Sequence, residues 1–248
     1  MTPIEKNSKE HRLKAVVTGL FFITATTAAI TGLKLYDPIL QNQNFLAAGA
    51  SMSSSIRVGA IFELILASAN IGTGVMLYPY LKKYSASWGL AYALFRLLEV
   101  VFILIGIVSI LTILSICNDY ATASEDKIAS LQSFGNTLKV VHGWTFILGP
   151  HFMLGINTFI YSFIFYRTKL VPRKLSILGI AGAVLILLAA LFEIFGLISH
   201  FSVQTVLLAI PIAVFEMALA TRLIARGYNL DAYKQIITEK NEGIHYAY

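Results

Sequence analysis

Charge is scarce in this chain. Asp, Glu, Lys and Arg make up 13% of its 248 residues and hydrophobic residues 57%, whereas a soluble globular domain devotes about a quarter of its residues to charge. A mean hydropathy of +0.73 completes the case against a water-soluble protein. Cysteine is nearly absent. Cys117 alone permits neither an internal disulfide nor a thiolate metal cage, and suits a small apolar filler near a helix end. Also missing are Gly-x-Ser-x-Gly, a Gly-rich phosphate loop and any His-x-x-x-His or His/Glu spacing of metalloprotease type. Nucleophilic hydrolysis, nucleotide binding and a metal or haem centre therefore find no support, and no cofactor is expected. The net charge of +6 does not mark a nucleic-acid binder, because no basic stripe with interleaved aromatics accompanies it. No internal repeat stands out, which leaves an inverted-repeat transporter unsupported.

What the chain does have is a succession of long apolar runs. They fall at Leu13–Leu33, Ile56–Leu81, Trp88–Ile116, Val140–Tyr166, Lys174–Ser199 and Val203–Ala225, each sufficient for a helix of about 20 residues across the hydrocarbon layer. A β-barrel would need short alternating segments, and Ile177–Phe192 does not alternate. The expected fold is an all-α polytopic bundle of six transmembrane helices, residues 13–226, between an N-terminal segment 1–12 and a tail 227–248. Basic residues set its orientation. Lys6, Lys9, Arg12 and Lys14, then Lys82 and Lys83, then Arg167, Lys169, Arg173 and Lys174, then Arg222, Arg226, Lys234 and Lys240 all fall on one side, predicting cytoplasmic termini. The first run also admits a cleaved signal peptide. Its leader carries Glu5 and Glu10 and its core is long, so a retained span is the expectation.

The connections predict further elements. Residues 34–55 form a long loop, expected to cap the bundle with Ile39, Leu40, Phe45 and Leu46 dipping into lipid. Ile128, Leu131 and Phe134 after Ser124-Glu125-Asp126 suggest a short surface helix with a capping start. The tail, with Tyr228, Tyr233, Ile236 and Ile237, reads as an amphipathic helix on the inner membrane surface.

Against this apolar background the polar residues inside the runs are conspicuous. An ionised group near the bilayer centre costs roughly 2.5–3.5 kcal/mol even on the mildest scale, so Glu63, Arg96, Glu99, Glu193 and Glu216 must turn inward. Glu63 and Asn70 share one helical stripe, continued by Gly74, and Arg96 and Glu99 are three apart, close enough to pair. Glu193 and His200 share a stripe, while Glu216 has no cation on its own helix pointing its way. The fourth run carries His142-Gly143-Trp144, Gly149-Pro150-His151 and Gly155-Ile156-Asn157. Its proline predicts a kinked helix lining a cavity. On a straight helix His142 and His151 would face opposite ways.

Several segments in order also resemble a known family. They are Ile56-Arg57-Val58-Gly59-Ala60-Ile61-Phe62-Glu63-Leu64, Leu94-Phe95-Arg96-Leu97-Leu98-Glu99, Leu148-Gly149-Pro150 through Thr158, Tyr166 through Arg173, and Ile210 through Glu216. Together they resemble a prokaryotic membrane family catalogued as domain of unknown function 4386. The resemblance implies a multi-helix inner-membrane protein and carries no activity; a proton-relay role is not expected of His151, which departs from the family's usual residue.

The functional expectation is a chamber built from Glu63, Asn70, Arg96, Glu99, His142, Asn157, Glu193 and Glu216 that binds or passes a small polar or amphiphilic molecule. The expected partners are membrane lipids and a small-molecule or lipid ligand, with no nucleic acid. Two rivals stand beside it. One is an intramembrane enzyme acting on a lipid-like substrate with Glu216 or Glu63 as acid/base. The other is a structural or sensory bundle whose charges are all paired.

Overall fold

The computed structural model describes residues 3–120, 122–200 and 202–241. These form α1 (Pro3–Leu35), α2 (Asp37–Leu40), α3 (Phe45–Ser51), α4 (Ser53–Tyr84), α5 (Ala86–Tyr120), α6 (Glu125–Phe146), a π-helical segment (Ile147–Met153), α7 (Leu154–Thr168), α8 (Arg173–Ile194), α9 (Val203–Arg226) and α10 (Leu230–Asn241), with no strand among the described residues. Six stretches are long and apolar enough to cross a membrane, namely Lys9–Leu35, α4, α5, Glu125–Thr168, α8 and α9. Helix is what a bilayer demands of such runs, because only intrasegment hydrogen bonds satisfy the backbone there. The breaks are local. Lys169 ends α7 in the left-handed region at φ 55°, Gly196 follows α8 at φ 68° and Gly227 follows α9 at φ 69°.

Around the bundle α1 packs on α4, α4 on α5, α5 on α6 and α7, α7 on α8, α8 on α9, and α9 returns to α1. The ring is closed. Its outward faces carry exposed Ile61, Val75, Leu94, Val108, Val206 and Val214, an apolar belt of the kind that lipid covers. We call the end holding the start of α1 and the close of α9 the terminal end, and the opposite one the distal end. At the terminal end α1 and α9 touch closely: a Cβ on Gly19 would lie 2.8 Å from the Ala220 carbonyl. Arg12 secures that contact by donating to the Leu223 and Ile224 carbonyls in the last turn of α9.

Four expectations are corrected here. Ile39, Phe45 and Leu46 are fully buried in protein rather than dipping into lipid. α2 and α3 fold over the distal ends of α4 and α5, where Cys117 donates to the Phe45 carbonyl at 3.4 Å and the Phe45 ring fills the space beside Gly135. The short surface helix around Ile128 and Phe134 is instead the start of α6, continuous with the fourth span. At about 1.5 Å per residue its 44-residue stretch Glu125–Thr168 is longer than a bilayer of about 40–45 Å requires. The fifth span stops at Ile194 rather than Ser199, because Gly196 reverses the chain. The tail does form a helix, but Tyr228 ahead of it is buried between Tyr80 and Phe165, and Tyr233 packs on Tyr80 and His11. The side chains of Ile236 and Ile237 and residues 242–248 lie outside the described residues.

Candidate functional site: an acid-lined chamber in the bundle

A cavity of about 290 Å³ occupies the middle and distal part of the bundle. One wall is apolar, made by Ala25, Ala29, Ile30 and Leu33 of α1 and Ala209, Ile212 and Ala213 of α9. Ile30 and Ala213 are also exposed on the outer surface. The chamber therefore reaches the bundle exterior between α1 and α9, on the distal side of their close contact at Gly19. The facing wall is polar, with Glu63 and Asn70 of α4, Arg96 and Glu99 of α5, His142 and Thr145 of α6, His151 of the π segment and Glu216 of α9.

Glu99 is the knot of the polar wall. Its Oε1 accepts from Asn70 Nδ2 at 2.9 Å, and its Oε2 accepts from Arg96 Nη1 at 2.9 Å and from Asn157 Nδ2. Helical spacing explains the set: Arg96 and Glu99 are one turn apart on α5, and α4 and α7 bring an amide from either side. Arg96 and Glu99 are only 2% and 3% exposed. A buried carboxylate is tolerable when its lone pairs meet donors and a charge meets it, and here three donors do so. Gly74 lies against the Arg96 stem, where a Cβ would stand at ordinary contact distance, 3.5 Å from Arg96 Cγ.

The other two chamber acids are not tied in this way. Among the described residues, neither Glu63 nor Glu216 makes a side-chain hydrogen bond or an ion pair within 4 Å. Glu63 is buried against α1, where Gly32 makes room for its side chain. Glu216 is partly buried near enough to Arg96 to interact with its charge. The neighbouring Arg222 turns away and donates to the Gly227 carbonyl at 2.8 Å.

Two expected chamber residues sit elsewhere. Asn157 lies behind Glu99, fully buried, and acts on the chamber only through that carboxylate. Glu193 joins a separate cluster: its Oε2 meets His151 Nδ1 at 2.7 Å and its Oε1 meets His200 Nδ1 at 3.0 Å. The Phe146 ring stands edge-on to both imidazoles, with centroids 5.0 and 4.7 Å away. The π segment explains how His151 reaches this place. Leu154 N–H bonds the Gly149 carbonyl, five residues back, so the segment turns less per residue than an α-helix. The opposite faces expected of His142 and His151 are brought onto one chamber wall. His200 arrives through the Gly196 turn rather than along a continued α8.

A sequence profile for the family described as Domain of unknown function (DUF4386) matches residues 17–227. The chain belongs to the DUF4386 family. No curated protein and no solved structure matches it. In this DUF4386 member the matched region takes in the first span from residue 17 onward, the other five spans, the whole chamber and the Glu193 cluster. His151 and the apolar wall from α1 were not singled out as chamber residues by spacing. The Gly149-Pro150 pair was the available signal for the first, since proline cannot donate to the α ladder. The second carried no signal, because alanines and leucines lining a chamber read like those facing lipid.

Proposed function

We propose that this protein is a multi-pass protein of the prokaryotic inner membrane, with both termini in the cytoplasm, whose chamber binds a small amphiphile with a cationic or donor-rich head. The orientation rests on Lys82, Lys83, Arg167, Lys169, Arg173, Lys174, Arg222 and Arg226 gathering at the terminal end, against Lys34, Arg57, Lys127 and Lys139 at the distal end. The ligand class rests on one observation: the chamber joins an apolar wall to a polar one on which three acids, Glu63, Glu99 and Glu216, stand with one guanidinium, Arg96, and two imidazoles, His142 and His151. Arg96 pairs with Glu99, which leaves two acids for a ligand's donors. A volume of about 290 Å³ stands at the small end for ligand sites, about 300–1,000 Å³, and suits one short tail and its head. The gap between α1 and α9 provides a route from lipid. A closed bundle with every charge paired is disfavoured by the same geometry.

The test uses protein in lipid nanodiscs and two probes of equal tail length, hexyltrimethylammonium and hexyl sulfate, with bound mass read by native mass spectrometry. The cationic probe is expected to bind wild type and to bind Glu216→Gln more weakly by about tenfold, one lost charge interaction of roughly 1.4 kcal/mol. Glu63→Gln gives a second variant if the first is poorly folded. Equal binding of both probes, or undiminished binding by both variants, overturns the assignment.

A further inference from the structure

The Glu193 cluster has features that the amphiphile reading does not use. His151, Glu193 and His200 each present a donor atom, and these lie within 4.8 Å of one another in a buried setting. The Glu193 carboxylate is 1% exposed, its imidazole partners 9% and 17%. A carboxylate so deeply buried requires either paired charge or a metal. Each of its oxygens meets a different imidazole through Nδ1, at 2.7 and 3.0 Å. Donors around a tetrahedral ion at about 2.0–2.1 Å stand about 3.3 Å apart, so an ion would take the place of the bridging protons, opening the 2.7 and 3.0 Å contacts by a few tenths of an ångström and drawing the most widely separated donors, now as much as 4.8 Å apart, toward one another.

The three side chains are also held from outside the cluster. Phe146 supports both rings edge-on, the π segment fixes the direction of His151, and the Gly196 turn returns His200 over the end of α8. Two imidazoles and one carboxylate suit borderline ions of the first transition row and not magnesium or calcium, which prefer an all-oxygen shell. We propose that His151, Glu193 and His200 form a site for one divalent transition-metal ion of the zinc class, at the distal edge of the chamber. Three protein donors leave a coordination position open. His151 also lines the chamber, so water or a ligand group there could reach the ion. Motif spacing hides such a site, because its donors come from a π segment, the end of α8 and a turn.

The experiment uses the full chain purified without a polyhistidine tag, dialysed against chelator and then against zinc chloride, with bound metal counted by elemental mass spectrometry. Wild type is expected to retain about one zinc per chain. His200→Asn, on a turn at the edge of the fold, and Glu193→Gln should each weaken retention by tenfold or more while remaining monodisperse. Cobalt substitution should give wild type a visible d–d spectrum of low-coordinate nitrogen and oxygen ligation, absent from His200→Asn. Wild type that holds no zinc above its chelated control refutes the site. So does an unchanged zinc content in a folded His200→Asn protein, which would place the metal on other histidines. Neither result touches the amphiphile proposal, whose probes bind through Glu63 and Glu216.

Discussion

Replacing Arg96 by methionine keeps most of the side chain's volume and removes its charge, leaving Glu99 with two amide donors and no cation. Breaking a buried ion pair from one side costs about 3–5 kcal/mol. The amides of Asn70 and Asn157 remain on Glu99, which places the expected loss near the lower bound, about 3 kcal/mol. In a chain of this size each kcal/mol moves the midpoint by roughly 2–4 °C, so Tm should fall by roughly 6–12 °C. The decisive comparison is Arg96→Met with Glu99→Gln added. Glutamine keeps an acceptor for one of the two amides and carries no charge, so the double variant should recover about 1–2 kcal/mol of the loss. The assay is thermal unfolding in one detergent, followed by tryptophan fluorescence, on wild type, both single variants and the double. If Glu99→Gln lowers Tm as much in the Arg96→Met background as in wild type, the cost does not come from an unpaired charge and the reasoning fails.

Four further variants test packing and backbone geometry. Gly182→Ala should destabilise by about 1–3 kcal/mol, because its Cβ would meet the Ile212 backbone nitrogen at 2.8 Å; Gly143→Ala, with nothing within 4 Å, should be neutral or stabilising by about 0.4–1 kcal/mol, and the same melting assay reads both. Tyr228→Ala should cost about 3–5 kcal/mol, since that ring is 5% exposed within the aromatic core; a Tm within 2 °C of wild type would show that the tail is not structural, on the scale of roughly 2–4 °C per kcal/mol. Gly196→Ala forces a side chain into φ 68° at about 1–2 kcal/mol. It should also lower zinc retention by moving His200, as dialysis and metal counting would show.

The fold was legible because the bilayer imposes one secondary structure on any long apolar run, and because a charge in such a run can face only inward. The Arg96–Glu99 pair and the Glu63–Asn70 stripe follow from helical phase alone, and all four side chains line the chamber. Elements outside the hydrocarbon layer were less legible, since apolar residues there have two destinations. Phe45 and Leu46 satisfy either lipid or a protein cap equally well by pattern, and the cap wins because Gly49 and Gly135 leave room for it beside Cys117 and Phe45. The Glu193 cluster depended on two departures from regular helix, each local in cause and decisive in phase. Proline flagged the first. The second rests on Gly196, whose positive φ is a property of the folded turn that composition does not announce.

The π segment links the two sites physically. A Cβ on Gly149 would lie 2.8 Å from Phe102 Cβ and 3.3 Å from the Glu99 carbonyl, so the unwound stretch sits directly on α5 beside the residue that knots the chamber's polar wall. The distortion that aims His151 at Glu193 thus shares a backbone contact with the helix presenting Arg96 and Glu99. A regular α-helix in its place would rotate His151 away from Glu193. Because that contact leaves no room for a side chain at position 149, Gly149→Ala should disturb both sites together, weakening zinc retention and cationic-probe binding in the same protein. Loss of one with the other intact would show that the chamber and the Glu193 cluster are mechanically independent.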